Sequence, residues 1–181
     1  MALSLKKTVV MVGMMGAGKT AIGRAVADEL AVPFLDSDEE IVRAAQMEIP
    51  EIFARDGEGF FRDRETEVIT RLLDEGPCIL STGGGAFLAQ RNRDVISQKG
   101  VSVWLRADLE LLWSRVRHKD TRPLLRTPDP KATLTSLHQA RVPHYENADM
   151  VVDSHEDYSI SDMAQRVISG LRKRPDVIEN K

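Results

Sequence analysis

The stretch Gly13-Met14-Met15-Gly16-Ala17-Gly18-Lys19-Thr20 constrains this chain more than any other. The apolar run Thr8-Val9-Val10-Met11-Val12 precedes it, and residues 21–30 after it carry helical spacing. Strand, glycine loop, lysine, hydroxyl residue and helix, in that order, make a phosphate-binding loop. Gly13, Gly16 and Gly18, with Ala17 among them, let the backbone turn tightly and aim its N–H groups inward, where a Cβ would crowd phosphates. The helix start adds donors and a positive dipole end. Lys19 is placed to reach β- and γ-phosphates, and Thr20 to put its hydroxyl on Mg²⁺. The loop predicts a bound nucleoside triphosphate. It does not say what is done with it.

Further apolar runs follow at regular intervals. Val32-Pro33-Phe34-Leu35 reads as a second strand ending at Asp36, Cys78-Ile79-Leu80 as a third, residues 101–105 as a fourth and 150–152 as a fifth. Helices are predicted between them. One opens at 38–45, a short proline-started one spans 50–54, and an amphipathic one spans 60–73. A surface helix is predicted over 88–97, one capped by Asp108 over 108–116, and a last one over 160–171, with a fraying tail from Arg172. Strands alternating with helices predict an α/β fold, a parallel sheet with helices on both faces. In such sheets ligands sit beyond the carboxyl ends of the strands. Three of these ends carry residues 13–19, Asp36 with Asp38, and Gly83-Gly84-Gly85.

A length of 181 residues predicts one domain, and a net charge of −3 gives no basic footprint for nucleic acid or a membrane surface. No apolar stretch approaches spanning length. Lys6 and Lys7 ahead of apolar residues mimic a signal peptide, but the run is short and leads straight into the loop. The single cysteine, Cys78, cannot form an internal disulfide, so a reducing, cytoplasmic compartment is expected, and its apolar neighbours make it a small core residue. A monomer is expected, since no heptad seam is visible.

The remaining chemistry-bearing residues each admit a plainer reading. Of Asp36 and Asp38, one suits a helix cap and the other chemistry, and both could do both. Arg62 and Glu65 stand one turn apart, either as a surface ion pair or as an arginine held and aimed at a carboxylate. Gly83-Gly84-Gly85 is a flexible turn or a place of close ligand approach. Ser81 and Thr82 stand where many phosphate-loop proteins have an acid for Mg²⁺. Residues 118–131, rich in basic residues and proline, predict a lid, and Arg122 within it is a candidate to close over a γ-phosphate. Arg141 in Arg141-Val142-Pro143-His144-Tyr145 is a second anion clamp or a surface charge near a later helix.

Taken in order, these motifs resemble the shikimate kinases over nearly the whole chain. The phosphate loop is widely shared. Asp36-Ser37-Asp38, Phe61-Arg62-x-x-Glu65, Ser81-Thr82-Gly83-Gly84-Gly85, Arg122-Pro123-Leu124-Leu125 and Arg141-x-Pro143-x-Tyr145 are a far more specific set. The resemblance implies transfer of the ATP γ-phosphoryl to the 3-hydroxyl of shikimate, with Mg²⁺. By position it implies that Asp38, Arg62, Gly84 and Arg141 bind shikimate at the Gly83–Gly85 turn, with Arg62 and Arg141 on its carboxylate and Asp38 as candidate base. Lys19 and Arg122 would be catalytic, Arg115 would lie along the adenine, and Asp36 with Thr20 would stand near Mg²⁺. The implied fold is a three-layer, five-stranded parallel sheet with the phosphate-loop strand central, a helical substrate-binding segment at about 38–72 and a lid at about 118–130. Gln46 and Glu48 depart from the family, which often has a glycine and a small polar residue near these places. A gluconate kinase would share the loop and the fold but has less use for two arginines. A nucleotide-binding module without catalysis would not be expected to keep Lys19, Thr20, Asp38 and Arg122.

Overall fold

The computed structural model describes residues 2–118 and 125–181. A short strand β1 (Leu3–Leu5) leads into β2 (Thr8–Val12), followed by the phosphate loop and α1 (Lys19–Leu30). Next come β3 (Phe34–Asp36), α2 (Ser37–Ala45), α3 (Ile49–Asp74) and β4 (Ile79–Ser81). After a 3-10 turn at Ala86–Leu88 come α4 (Gln90–Lys99), β5 (Gly100–Arg106) and α5 (Leu109–Val116). The chain ends with α6 (Pro130–Tyr145), β6 (Met150–Asp153), α7 (Ile160–Leu171) and β7 (Ile178–Asn180).

The main sheet has five parallel strands in the order β3-β4-β2-β5-β6, so the phosphate-loop strand is central, as the resemblance implied. All five residues of β2 are buried, which requires helical cover on both faces. Helices α1 and α7 pack together, as do α3 and α4. Register aligns the functional ends: Met11 of β2 and Asp36 of β3 both pair with Ser81 of β4. Two strands that end level, on either side of a third, deliver their loops to one rim.

The predicted helix boundaries hold to within a residue or two, with two corrections, and α6 is a further helix for which no bounds are predicted. The two helices predicted at 50–54 and 60–73 are both present, running as one stretch, α3, that breaks between them at Gly57, whose φ of 87° and ψ of 167° are not helical. The helix expected on the surface, α4, buries Asn92 and Ile96. The tail does not fray. β7 pairs antiparallel with β1, and Val177 and Ile178 are buried. Polar composition hid this pairing because only two apolar residues of the tail need cover, and the partner strand lies at the other end of the chain. Cys78 is buried as expected, and burial pushes its thiol up. Among the described residues no helix is long and apolar enough to cross a membrane.

Gln46 ends α2 in the left-handed region at φ 52°. That conformation is disfavoured for any residue with a Cβ. Gln46→Gly is therefore expected to raise stability by about 0.5–1 kcal/mol, or roughly 1–4 °C in Tm, without altering kinetics. Thermal unfolding of the two proteins checks this.

Candidate active site

The phosphate loop leaves β2 at Gly13, whose φ is 148°, and passes Gly16 and Gly18 at 84° and 91°. A Cβ at Gly13 would stand 3.0 Å from the Leu105 carbonyl, and one at Gly16 would stand 2.8 Å from Val116 Cγ1. The loop is thus held closely on its protein side, against β5 and α5, as well as being kept open on the ligand side. Gly18 caps α1 with no side chain, so no side-chain oxygen occupies the helix start. Ala17 is buried beneath the loop, and Thr20 is exposed in the first turn of α1. Lys19 Nζ donates to the carbonyls of Gly13 at 2.5 Å and Met14 at 3.3 Å, and so lies over the loop. Arg115 donates to the Gly16 carbonyl at 3.0 Å and to Ser154 Oγ at 3.2 Å, joining the loop to the chain after β6. Burial lowers its pKa.

Asp36 and Asp38 divide their tasks. Asp36 caps α2, with Oδ1 accepting from the N–H groups of Asp38 at 2.9 Å and Glu39 at 3.2 Å. Asp38 sits half-buried in the first turn, and its pKa is raised to about 6. Desolvation is the largest cause, followed by the like charges of Asp36 and Glu65, against which Lys19 and Arg62 pull.

Arg62 and Glu65 are no ordinary surface pair. Glu65 is 1% exposed, and Arg62 Nη1 bonds its two oxygens at 3.0 and 3.2 Å. Burial raises the Glu65 pKa and Arg62 opposes that rise. Arg141, 8% exposed, is no surface charge either.

The glycine turn draws these groups together. A Cβ at Gly83 would lie 2.9 Å from Asp38 Oδ1, one at Gly84 2.6 Å from Arg141 Nη1, and one at Gly85 2.6 Å from Arg62 Nη2. None of the three glycines has a positive φ, so space rather than backbone strain calls for them. Three successive missing side chains make room for a carboxylate and two guanidiniums. At the foot of the turn Ser81 and Thr82 are buried, and Thr82 Oγ1 donates to the Met11 carbonyl at 3.0 Å. That hydroxyl is committed to tying β4 to β2.

Thr20 and Asp36 offer hard oxygen donors of the kind Mg²⁺ takes, but too few to cage it. Among the described residues no group of three or more His, Cys, Asp or Glu side chains could hold a metal by itself. Such a pair fits an ion that keeps its waters and is held mainly by phosphates. Arg122 lies outside the described residues, as does much of the predicted lid. Within the remainder, Leu125 is buried, and Asp129 caps α6 by accepting from Ala132 N at 3.1 Å.

The model of the shikimate kinase family matches residues 15–172. The shikimate kinase of Ruegeria pomeroyi is 67% identical over 98% of this chain and 91% of its own. The chain belongs to the shikimate kinase family. The Cereibacter sphaeroides shikimate kinase is 64% identical over 97% of this chain and 87% of its own. The solved Acinetobacter baumannii shikimate kinase, in complex with shikimate, superposes with a TM-score of 0.86 at 37% identity, over 93% of this chain and 94% of its own. A gluconokinase from Sinorhizobium meliloti superposes with a TM-score of 0.63 at 19% identity over 94% of each chain, which shows a shared fold.

Two site residues escape sequence reading. Asn92 was hidden in a helix taken for surface, and Tyr145 had no role beyond its motif. The available signal for Asn92 was its spacing: it stands four residues before the buried Ile96, on the same helix face. At Gly84, the group that a Cβ would meet is the far end of a long side chain. Gly84→Ala is therefore expected to fold with a Tm within about 3 °C while displacing Arg141, and to raise the acceptor KM about tenfold or more. Steady-state kinetics beside a melting curve checks both halves.

Proposed function

We propose that the chain transfers the γ-phosphoryl of ATP to the 3-hydroxyl of shikimate, giving shikimate 3-phosphate and ADP. The observation that carries this is the glycine turn, which holds Asp38, Arg141 and Arg62 side by side, with Lys19 close enough to Asp38 to pull on its pKa. Two guanidiniums answer the planar carboxylate of a small acid, which each can grip bidentately. Neither a gluconate kinase nor a nucleoside monophosphate kinase calls for that pair on a rigid acid as directly.

In this reading residues 13–20 cradle the phosphates, and Lys19 moves from the loop carbonyls to the β- and γ-phosphates. Bound Mg²⁺, near Thr20 and Asp36, would neutralise charge on the β- and γ-oxygens. Arg115 would support the adenine side. The acceptor hydroxyl oxygen attacks the γ-phosphorus, the bond to the β-phosphate oxygen breaks, and ADP leaves. The transition state is loose, so positioning and charge neutralisation do most of the work, and the hydroxyl proton passes late to Asp38. Arg122 is assigned to the γ-phosphoryl from its sequence motif alone. One domain over 1–181, with the substrate segment at about 38–72 and the lid at about 118–130, is the organisation this reading uses. A monomer in the reducing cytoplasm, with no nucleic acid or membrane partner, suits the single buried thiol and the net charge of −3.

The test is ADP release with MgATP and shikimate, gluconate, nucleoside monophosphates or no acceptor. Release that depends on shikimate alone is expected, and release with another acceptor overturns the clamp. Arg141→Ala should raise the shikimate KM at least about tenfold, with a smaller fall in kcat, because a charged hydrogen-bonding group facing the carboxylate is lost. An unchanged KM would remove Arg141 from the clamp.

A further inference from the structure

Beside the two arginines stand two further buried side chains with polar ends: Asn92, which no motif covers, and Tyr145, the last residue of the Arg141-x-Pro143-x-Tyr145 motif. Asn92 is 1% exposed. Its Nδ2 donates to the Ala86 carbonyl at 2.8 Å, the residue directly after the glycine turn. Its Oδ1 accepts from Thr66 Oγ1 at 2.7 Å, and Thr66 directly follows Glu65, which holds Arg62. A donor and the acceptor of the amide are thereby used on opposite sides, which fixes its orientation. Tyr145, wholly buried, stacks near Trp104 at 5.9 Å between ring centroids. Its hydroxyl donates to the Gly84 carbonyl at 2.7 Å, at the glycine whose missing Cβ leaves room for Arg141 Nη1.

The two arrangements match. Each buried side chain grips a carbonyl at or beside the glycine turn, and that turn lies directly against the guanidiniums of Arg141 and Arg62. We propose that Asn92 and Tyr145 are positioning residues that hold the glycine turn against the two arginines and so set the gap into which the acceptor carboxylate fits. This rests on the reading of shikimate as acceptor. A guanidinium on a long side chain has many rotamers, and binding must freeze them. Holding both in advance lowers that cost at binding. The expected signature is therefore in acceptor KM, not in nucleotide KM or in the chemical step.

The experiment compares wild type, Tyr145→Phe, Asn92→Ala and Ile178→Ala, the last a buried change at the terminal β1–β7 pair. Acceptors are shikimate and an analogue whose carboxylate is reduced to a hydroxymethyl group. Tyr145→Phe and Asn92→Ala should each raise the shikimate KM about tenfold, with kcat within about threefold and the ATP KM within about twofold. Their kcat/KM for the carboxylate-free analogue should equal that of wild type. Ile178→Ala should lower Tm and leave the shikimate KM alone. Unchanged shikimate KM in both site variants overturns the proposal. So does an equal loss against shikimate and analogue, which would mark a general structural role. If Asn92→Ala does not fold, Tyr145→Phe decides alone, since it keeps the packed ring. Failure of the underlying reading is separately visible: wild type itself would not use shikimate.

Discussion

Lys19→Ala should lower kcat by about a hundred- to a thousandfold, the loss seen when one preorganised donor to developing charge is removed. The upper end is expected, because the lysine is a full charge and the transition state spreads negative charge over the γ-phosphoryl. The loop itself should survive. Its shape comes from positive φ at Gly13, Gly16 and Gly18 and from close packing on Leu105 and Val116, none of which needs the lysine side chain. Two part-buried bonds, from Nζ to the Gly13 and Met14 carbonyls, are lost. ATP should still bind through the loop N–H groups and the uncapped start of α1, with its affinity weakened less than kcat. Turnover at saturating substrates, beside a direct nucleotide-binding titration, separates the two. A kcat within about tenfold of wild type would place the catalytic charge elsewhere.

Asp38→Asn should cost about a hundred- to ten-thousandfold in kcat, the range for a positioned proton acceptor. Asparagine keeps the size of the side chain facing Gly83 and removes only the charge and the basicity. The pH profile should identify the residue. The Asp38 carboxyl is raised from 3.8 to about 6. The ionised form is the one that accepts a proton, so kcat/KM for shikimate should rise with pH through about 6 and level off above it. The residual activity of the asparagine variant should lack that limb. Stability runs the other way. A carboxyl whose folded-state pKa lies above its unfolded value favours folding less as pH rises between about 4 and about 6, and not further beyond. At neutral pH the asparagine variant should thus be no less stable than wild type, a separation of activity from stability expected at a working site. Melting curves at pH 5 and 8 test it, and loss of stability at both would mean that Asp38 is a structural residue.

Much of this was legible along the chain. The five strands of the main sheet, the phosphate loop and the cap at Asp108 follow from short-range rules: apolar runs, glycine at special φ, and a carboxylate before a helix. Asp108 accepts from Leu111 N at 2.8 Å, as the spacing predicted. The Arg62–Glu65 pair was visible as a spacing, but its meaning was not. One turn of helix brings the two together whether they face water or the core, and only the packing of α3 on α4 buries Glu65 to 1% exposure. The same limit hid Asn92. A lone polar residue in a charged helix reads as surface until a neighbouring helix covers it.

The sequence by itself determined the α/β order and the phosphate loop, because each is written in residues adjacent in the chain or one helical turn apart. Only the tertiary structure decided three things. It gave Asp36 to the helix cap and left Asp38 half-buried with a raised pKa, since desolvation depends on what packs around a group. It closed the termini as β1 with β7, a pairing between residues more than 170 positions apart. It also matched Gly83, Gly84 and Gly85 to Asp38, Arg141 and Arg62, one missing Cβ to one side chain. The physical reason is common to all three. Burial and close approach are properties of surfaces brought together from distant parts of the chain, and no local spacing encodes which surfaces will meet.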